Sequence, residues 1–353
     1  MKVNSKILVC YNAPVSVFSI YNGKPNVNEF TSNDLSENGF INEISVIKNN
    51  LSVFFTEVKA IPIDRNVEHT IGSINEYNPD IIFNFVESVE GIASYEFCMA
   101  GLYQLLGYNF TGNLPATLGN CLNKSRTKNI LASFGISTPK STTLKPFQQL
   151  SENNFDLSFP VILKLLKEDA SIGISELSVV ENINSLKKHL NFLWDTYNQE
   201  VIVEEYINGR ELNAAVLGDS VLPISEINFD GLPDDLPKIV TYEGKWIEKS
   251  VYYKHTKPVC PARLNKDLKN KIEKTALLAF EAMGCRDYAR IDFRIDKNGN
   301  PFVIEVNPNP DISTDSGFAR ASASAGIPYP ELLKRIADFA LTRENNDSQN
   351  RAS

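Results

Sequence analysis

Short apolar runs and helical periods alternate along the first third of the chain. Ile7-Leu8-Val9-Cys10 is an apolar run of strand length. Over residues 40–53, Ile41, Ile44, Ile47 and Leu51 recur at helical spacing. Pro79 leads into Ile81-Ile82-Phe83-Asn84-Phe85-Val86, a second strand, and residues 93–106 form a helix that stops at Gly107. Strand–helix alternation of this kind predicts an α/β fold with a parallel sheet covered by helices. The middle of the chain has a different texture. A helix is predicted over 123–134, carrying Lys124, Arg126 and Lys128, and a strand runs from Phe159-Pro160 to Lys164. The small-residue loop Glu168-Asp169-Ala170-Ser171-Ile172-Gly173 follows, then Val179-Val180, a helix over 184–197 and a strand over 201–204. Strands over 212–217, 288–295 and 302–307 and helices over 268–283 and 329–341 complete the pattern.

Composition narrows the class. At 353 residues the chain has room for two to three domains of roughly 150 residues. Hydrophobic residues make up 42% and charged residues 22%, which excludes a disordered chain. A net charge of −8 excludes a broad nucleic-acid-binding surface but leaves room for a local basic pocket. The five Cys, at 10, 98, 121, 260 and 285, have no CxxC spacing and read as free thiols of a reducing compartment. No run approaches the roughly 20 apolar residues of a membrane span, so a cytoplasmic protein is expected. The polar stretch 343–353 is expected to fray.

The sharpest local signal runs from Arg290-Ile291-Asp292 to Glu305-Val306-Asn307, with Asn298-Gly299 between two alternating strands. A two-residue turn at Asn298-Gly299 sets Asp292 opposite Glu305 and Arg290 opposite Asn307, all on one face. Opposed carboxylates repel, so a cation belongs between them. Two carboxylates and an amide oxygen suit Mg²⁺, which usually keeps water and substrate phosphate as further ligands. The same spacing also describes an ordinary charged sheet face with Arg290 neutralising the acids, and a one-residue slip would part them. If the acids only repel, neutralising either one leaves the fold intact or firmer.

Phosphate would need cations opposite the metal. Lys164 ends a buried strand just before the small-residue loop, where it either snorkels to the surface or reaches an anion. Lys124 and Lys245 are ambiguous taken singly. The run Glu204-Glu205-Tyr206-Ile207, leading to Gly209-Arg210-Glu211, reads on its own as a strand end with a polar turn.

Taken in order, these segments resemble the ATP-grasp superfamily, and within it the D-alanine–D-alanine ligases. The resemblance spans about residues 80–336. It rests on Leu122-Asn123-Lys124-Ser125-Arg126-Thr127-Lys128, on Val161-Ile162-Leu163-Lys164 with its loop, and on Val203-Glu204-Glu205-Tyr206-Ile207-Asn208-Gly209-Arg210-Glu211. Tyr242-Glu243-Gly244-Lys245-Trp246, Arg290-Ile291-Asp292 and Glu305-Val306-Asn307 complete it. The resemblance implies an N-terminal parallel-sheet domain over 1–113, two α+β subdomains over 114–204 and 205–342 that clasp ATP, and a flexible tail over 343–353. It implies Lys124 and Lys164 on the nucleotide phosphates, and Glu204 with the backbone of Glu205 and Ile207 at the adenine. Glu211 falls on the ribose, Lys245 on the terminal phosphate, and Asp292, Glu305 and Asn307 on the metal. Arg290 falls on the reacting phosphoryl group. ATP and two Mg²⁺ ions follow, with Mn²⁺ as a substitute, and amino-acid-like small molecules as partners. A homodimer is compatible with it. The activity implied is amide formation through an acyl phosphate.

The chain departs from that family where substrates bind. The first strand exits into Tyr11-Asn12-Ala13-Pro14-Val15-Ser16 rather than a glycine-rich turn, and the nearest Ser-Glu pair is Ser36-Glu37. Downstream, Ser316 fits the family's Ser-Leu pair, but Gly317 replaces the leucine and Asp311 replaces a glycine. An acid there suits a cationic or amine group better than a carboxylate, or else turns away and caps a helix start after Pro310 by accepting from backbone N–H groups. Two other classes compete with a ligase: a non-catalytic nucleotide-binding regulator, and a nicotinamide dehydrogenase. The second lacks a G-x-G-x-x-G after the first strand.

Overall fold

Parallel strands first, antiparallel sheets afterwards: the chain changes style near its first third. The computed structural model describes residues 2–13, 18, 20–25, 35–150 and 155–343, with backbone alone for 35–42. The first lobe contains β1 (Val3–Asn12), α1 (Leu35–Leu51), β2 (Phe55–Ile63), α2 (Val67–Tyr77), β3 (Ile81–Phe85) and α3 (Tyr95–Leu105). Its sheet has the order β2-β1-β3 and is parallel. Both faces of β1 are covered. Ile7 and Val9 pack with Ile44, Ile47 and Leu51 of α1, while Leu8 and Cys10 pack with Ile74 of α2 and Met99 and Tyr103 of α3. Burial on both faces is why the strand reads as an unbroken apolar run. Gly107, with φ +78°, follows the end of α3 as expected.

Next come α4 (Pro115–Leu122), α5 (Lys124–Ser133), β4 (Ser141–Leu144), β5 (Val161–Leu165), β6 (Val179–Val180), α6 (Ile183–Tyr197) and β7 (Val201–Glu205). They form a four-stranded antiparallel sheet, β4-β7-β5-β6, backed by α6. The last lobe contains β8 (Arg210–Leu217), β9 (Ser220–Val221), β10 (Ser225–Asn228), α7 (Tyr242–Trp246), α8 (Val251–His255), β11 (Lys257–Val259), α9 (Lys266–Ala282), β12 (Tyr288–Ile295) and β13 (Pro301–Asn307). Its sheet runs β11-β10-β8-β12-β13, with β9 beside β8. The chain ends in α10 (Gly317–Ser324) and α11 (Tyr329–Leu341). Leu332, Leu333, Ile336 and Ala340 of α11 pack back onto the face of β1 that α1 covers.

Two sequence expectations need correction. Arg343 does not fray: its guanidinium pairs with Asp287 at 2.5 Å and donates to the Phe110 carbonyl at 3.0 Å, and its own carbonyl accepts from Asn109. The rest of that tail, and the side chains of Ser36-Glu37, lie outside the described residues. The second correction concerns the β12–β13 turn. Asp296 and Asn300 close it around three residues, instead of Lys297 and Asn300 around Asn298-Gly299, and the Asp296 carboxylate accepts from the Asn298 and Asn300 N–H groups. That would slip the register by one residue. A bulge at Ile304 restores it, so that Asp292 still faces Glu305 and Arg290 still faces Asn307. The bulge also lets Val303 and Val306, three positions apart, both face the core under α9.

His189 of α6 is 6% exposed, stacks on Phe192, and has no hydrogen-bond partner at Nε2 among the described residues. Burial lowers its pKa from 6.5 to about 4. The unfolded chain therefore binds the extra proton between those values, and the site loses up to about 3 kcal/mol of stability as pH falls through that window. His189→Leu is expected to flatten urea-unfolding stability between pH 6.5 and about 4. Equal slopes in variant and wild type would refute this.

Candidate active site

Alternation along β12 and β8 separates two jobs. Ala289, Ile291 and Phe293 of β12, with Leu212, Ala214 and Val216 of β8, go under α9. Arg290, Asp292 and Arg294, with Glu211 and Asn213, take the other face. Asp292 is 6% exposed and saturated with donors. Arg290 forks onto it at 2.8 and 2.9 Å, Asn213 donates at 2.7 Å and Asn307 at 3.1 Å. Glu305 lies 3.5 Å from both the Asn307 amide and Lys124. Burial would raise the Glu305 pKa, but Lys124, Lys164, Lys245 and Arg290 outweigh it and bring it down to about 2. Burial would likewise lower the Arg290 pKa; Asp292, Glu305 and Asp311 hold it well above its ordinary value instead. The four residues predicted to share a face do share it.

Asn123 caps α5 through the Arg126 N–H, which fixes Lys124 at the first helical position. The Lys124 ammonium reaches the Glu168 carbonyl, Asp169 at 3.2 Å and Glu305 at 3.5 Å. One turn later, Lys128 is also buried. Glu204, 1% exposed, lies between Lys128 at 3.1 Å and Lys164 at 2.9 Å. Burial pushes the Lys128 pKa down despite Glu204. The two lysines together hold the Glu204 pKa below its usual value against its own burial. In the loop after Lys164, Ala170 and Ser171 adopt φ +52° and +61°, a strained backbone for residues with a Cβ.

At the end of β7, the Glu205 N–H donates to the Lys140 carbonyl and its carboxylate accepts from the Ser158 N–H. The Ile207 carbonyl accepts from Arg294, which also pairs with Glu211 at 2.9 Å and reaches the Tyr206 hydroxyl. Burial raises the Glu211 pKa, opposed by Arg294. Lys245 stands on α7 with its side chain exposed. Asp311 is exposed and closes a small turn, accepting from the Ser313 N–H at 2.8 Å and hydroxyl at 2.9 Å. Ser316 caps α10 by accepting from the Ala319 N–H.

Lys128, Asp169, Asn213 and Arg294 were given no role from the sequence. Two of them carried a usable signal: Lys128 repeats Lys124 at helical spacing, and Arg294 repeats Asp292 at strand spacing. Among the described residues no three His, Cys, Asp or Glu side chains converge as a metal site. The set here is two carboxylates and an amide, hard oxygen donors that fit Mg²⁺ in kind. All the acceptor positions of Asp292 are taken, so a cation entering there requires Arg290 or Asn307 to let go.

Residues 130–338 match a family model described as D-ala D-ala ligase C-terminus. The chain is 32% identical over 267 residues to the uncharacterized protein y4sG of Sinorhizobium fredii, covering 74% of this chain and 75% of that one. It is 31% identical over 241 residues to a D-alanine–D-alanine ligase of Nitrosomonas eutropha, covering 68% and 74%. Among solved structures, the ATP complex of a D-alanine–D-alanine ligase from Bacillus anthracis superposes with a TM-score of 0.74 at 22% identity, over 99% of this chain and 100% of that one. The VanG D-Ala:D-Ser ligase of Enterococcus faecalis gives 0.67 at 21% identity, over 96% and 100%.

Proposed function

This chain belongs to the D-alanine–D-alanine ligase family, with its ATP-grasp fold, and on that premise we propose the chemistry its site carries out. The reaction is ATP-dependent joining of a carboxylate to an amine. A donor carboxylate oxygen attacks the γ-phosphorus of ATP, forming the acyl phosphate and expelling ADP. The amine nitrogen then attacks the acyl carbon, phosphate leaves with the C–O bonding pair, and the nitrogen loses a proton. Positioning and charge neutralisation supply the catalysis.

The observation that supports this best is the Arg290, Asp292, Glu305 and Asn307 face, with Lys124 3.5 Å from Glu305. Asp292, Glu305 and Asn307 would hold two Mg²⁺ ions, or Mn²⁺ in their place, which supply Lewis-acid charge at the phosphates when bound. Lys124 and Lys164 hold the phosphates, trading Asp169 and Glu204 for them, and Lys245 reaches the terminal one. Glu204 with the Glu205 and Ile207 backbone meets the adenine, Glu211 meets the ribose, and Arg290 steadies the reacting phosphoryl group. The reading includes lobes divided near residues 113 and 204, amino-acid-like substrates, a cytoplasmic location and a homodimeric assembly. No helix among the described residues is long and apolar enough to cross a membrane. Incubation with Mg-ATP and pooled amino acids, followed by phosphate release and mass spectrometry, tests the activity. Phosphate release and a new amide are expected only with amino acids present; ATP binding without turnover would replace the ligase with a regulator.

Asp311 favours an acceptor other than D-alanine. Its carboxylate is exposed four residues after Asn307 and holds a turn by accepting from Ser313. A carboxylate beside an incoming carboxylate is unfavourable, so the acceptor presents a cationic or neutral group there, near Ser316. Asp311→Gly is expected to raise use of D-alanine over basic or amide amino acids by about tenfold in competition assays. Efficient D-alanyl-D-alanine synthesis by the wild type, or an unchanged preference, would contradict this.

A further inference from the structure

Three segments from three lobes meet over the lysines. The small-residue loop touches α7 twice: the Tyr242 N–H donates to the Ile174 carbonyl at 3.1 Å, and the Trp246 indole N–H to the Ala170 carbonyl at 3.4 Å. Residues 20–25, beyond β1, lie across both. The Tyr21 carbonyl accepts from the Gly173 N–H at 2.7 Å, and the Gly23 carbonyl from the Ser175 hydroxyl at 3.2 Å. The Tyr21 ring stacks on Tyr242 at 5.9 Å. Gly23, with φ +70°, approaches so closely that a Cβ there would lie 2.3 Å from the Gly173 carbonyl oxygen. Next to it, the Lys24 ammonium lies 2.9 Å from Glu176, which follows the loop, and 3.0 Å from Glu243, two residues before Lys245 on α7.

We propose that Lys24 is a positioning residue that fastens the loop 168–175 to α7 as one cover over bound nucleotide. The proposal rests on the nucleotide reading above. Its physical basis is the convergence of two carboxylates on one ammonium. With Lys24 in place they bind the cover together, and their charges keep Lys24 protonated against its partial burial. Without it, Glu176 and Glu243 face each other as like charges, and the cover is driven apart rather than merely untied. Lys24 touches no reacting atom; it acts through Glu243 on the helix that carries Lys245, and through Glu176 on the loop.

The measurement is stopped-flow release of a fluorescent ADP analogue in Mg²⁺ buffer. Lys24→Met is expected to speed release about fivefold at an unchanged melting temperature, while Lys24→Arg stays at the wild-type rate. Gly23→Ala, which pushes residues 20–25 off the loop sterically without touching a charge, is expected to speed release as well. The decisive arm is the double variant Lys24→Met with Glu243→Gln. Removing the second charge removes the repulsion, so release slows back toward the wild type; a merely structural role predicts two additive losses. Wild-type release from Lys24→Met, or a double variant faster than the single, overturns the fastening role while leaving nucleotide binding intact. A wild type that does not bind the analogue overturns both.

Discussion

Asp292→Asn is expected to abolish amide formation and to weaken the fold. The loss of activity follows from the proposed role: a neutral amide cannot balance the metal charge, and turnover should fall by at least about a hundredfold. The loss of stability follows from the hydrogen bonds. Repulsion between the paired acids would make the substitution neutral or stabilising, but Arg290 forks onto both Asp292 oxygens, and Asn213 and Asn307 donate to the same group. An amide in that place turns an NH₂ toward donors and leaves a half-buried guanidinium without its carboxylate, costing about 1–3 kcal/mol. Glu305→Gln makes the contrast. Its carboxylate makes no such fork and is shared with Lys124 at longer range, yet its lowered pKa is stability held at neutral pH, so activity and neutral-pH stability both fall. The Glu305 pKa is 4.5 ordinarily and about 2 here, so its contribution is full above pH 4.5 and is lost as pH falls toward about 2. In metal-free buffer Glu305→Gln should lose that acid-side slope. Phosphate release and thermal unfolding, run on both variants, check the pair; an Asp292→Asn protein as stable as wild type would mean that Arg290 finds another partner.

How legible this was in the sequence depends on whether an element carries its own signal. The β1 run, α11 and the face shared by Asp292 and Glu305 were legible because burial on two faces, helical period and strand alternation each leave a mark in the residues themselves. The turn was misread and the bulge unseen, yet the two differences cancel, since Val303 and Val306 must both reach the core. β2 left no run because it is an edge strand, with Thr56, Glu57 and Lys59 exposed and Pro62 near its end. Partners distant in sequence were the least legible. Nothing near Arg343 points to Asp287, and nothing near Lys24 points to Glu243. The roles of the site residues came from resemblance; the geometry adds what each one holds.

Glu204→Gln is expected to cost more stability than any single change outside the apolar cores. Glu204 is 1% exposed, and the Lys128 and Lys164 side chains that bracket it are 6% and 17% exposed. Removing the acid leaves two ammonium groups facing a neutral amide out of water, a loss of about 3–5 kcal/mol. Lys164 ends near the loop and can turn outward, but Lys128 is held against the Pro139 carbonyl and cannot. Its pKa, already lowered by burial, falls further without Glu204. The folded variant then binds fewer protons than the unfolded chain, in which lysine keeps its ordinary 10.5, and so gains stability as pH rises. The wild type's Glu204 acts at the acid end instead: its depressed pKa contributes stability above the ordinary carboxylate range that is lost as pH falls through it. Lys128→Met alone should cost little, because Glu204 keeps Lys164. Added to Glu204→Gln it should restore part of the loss, since it removes the charge that has nowhere to go. Urea unfolding of the four proteins at neutral and alkaline pH measures this directly. If the double variant is less stable than Glu204→Gln alone, Lys128 contributes through packing rather than charge, and the buried acid between two lysines is not what holds the second sheet to α5.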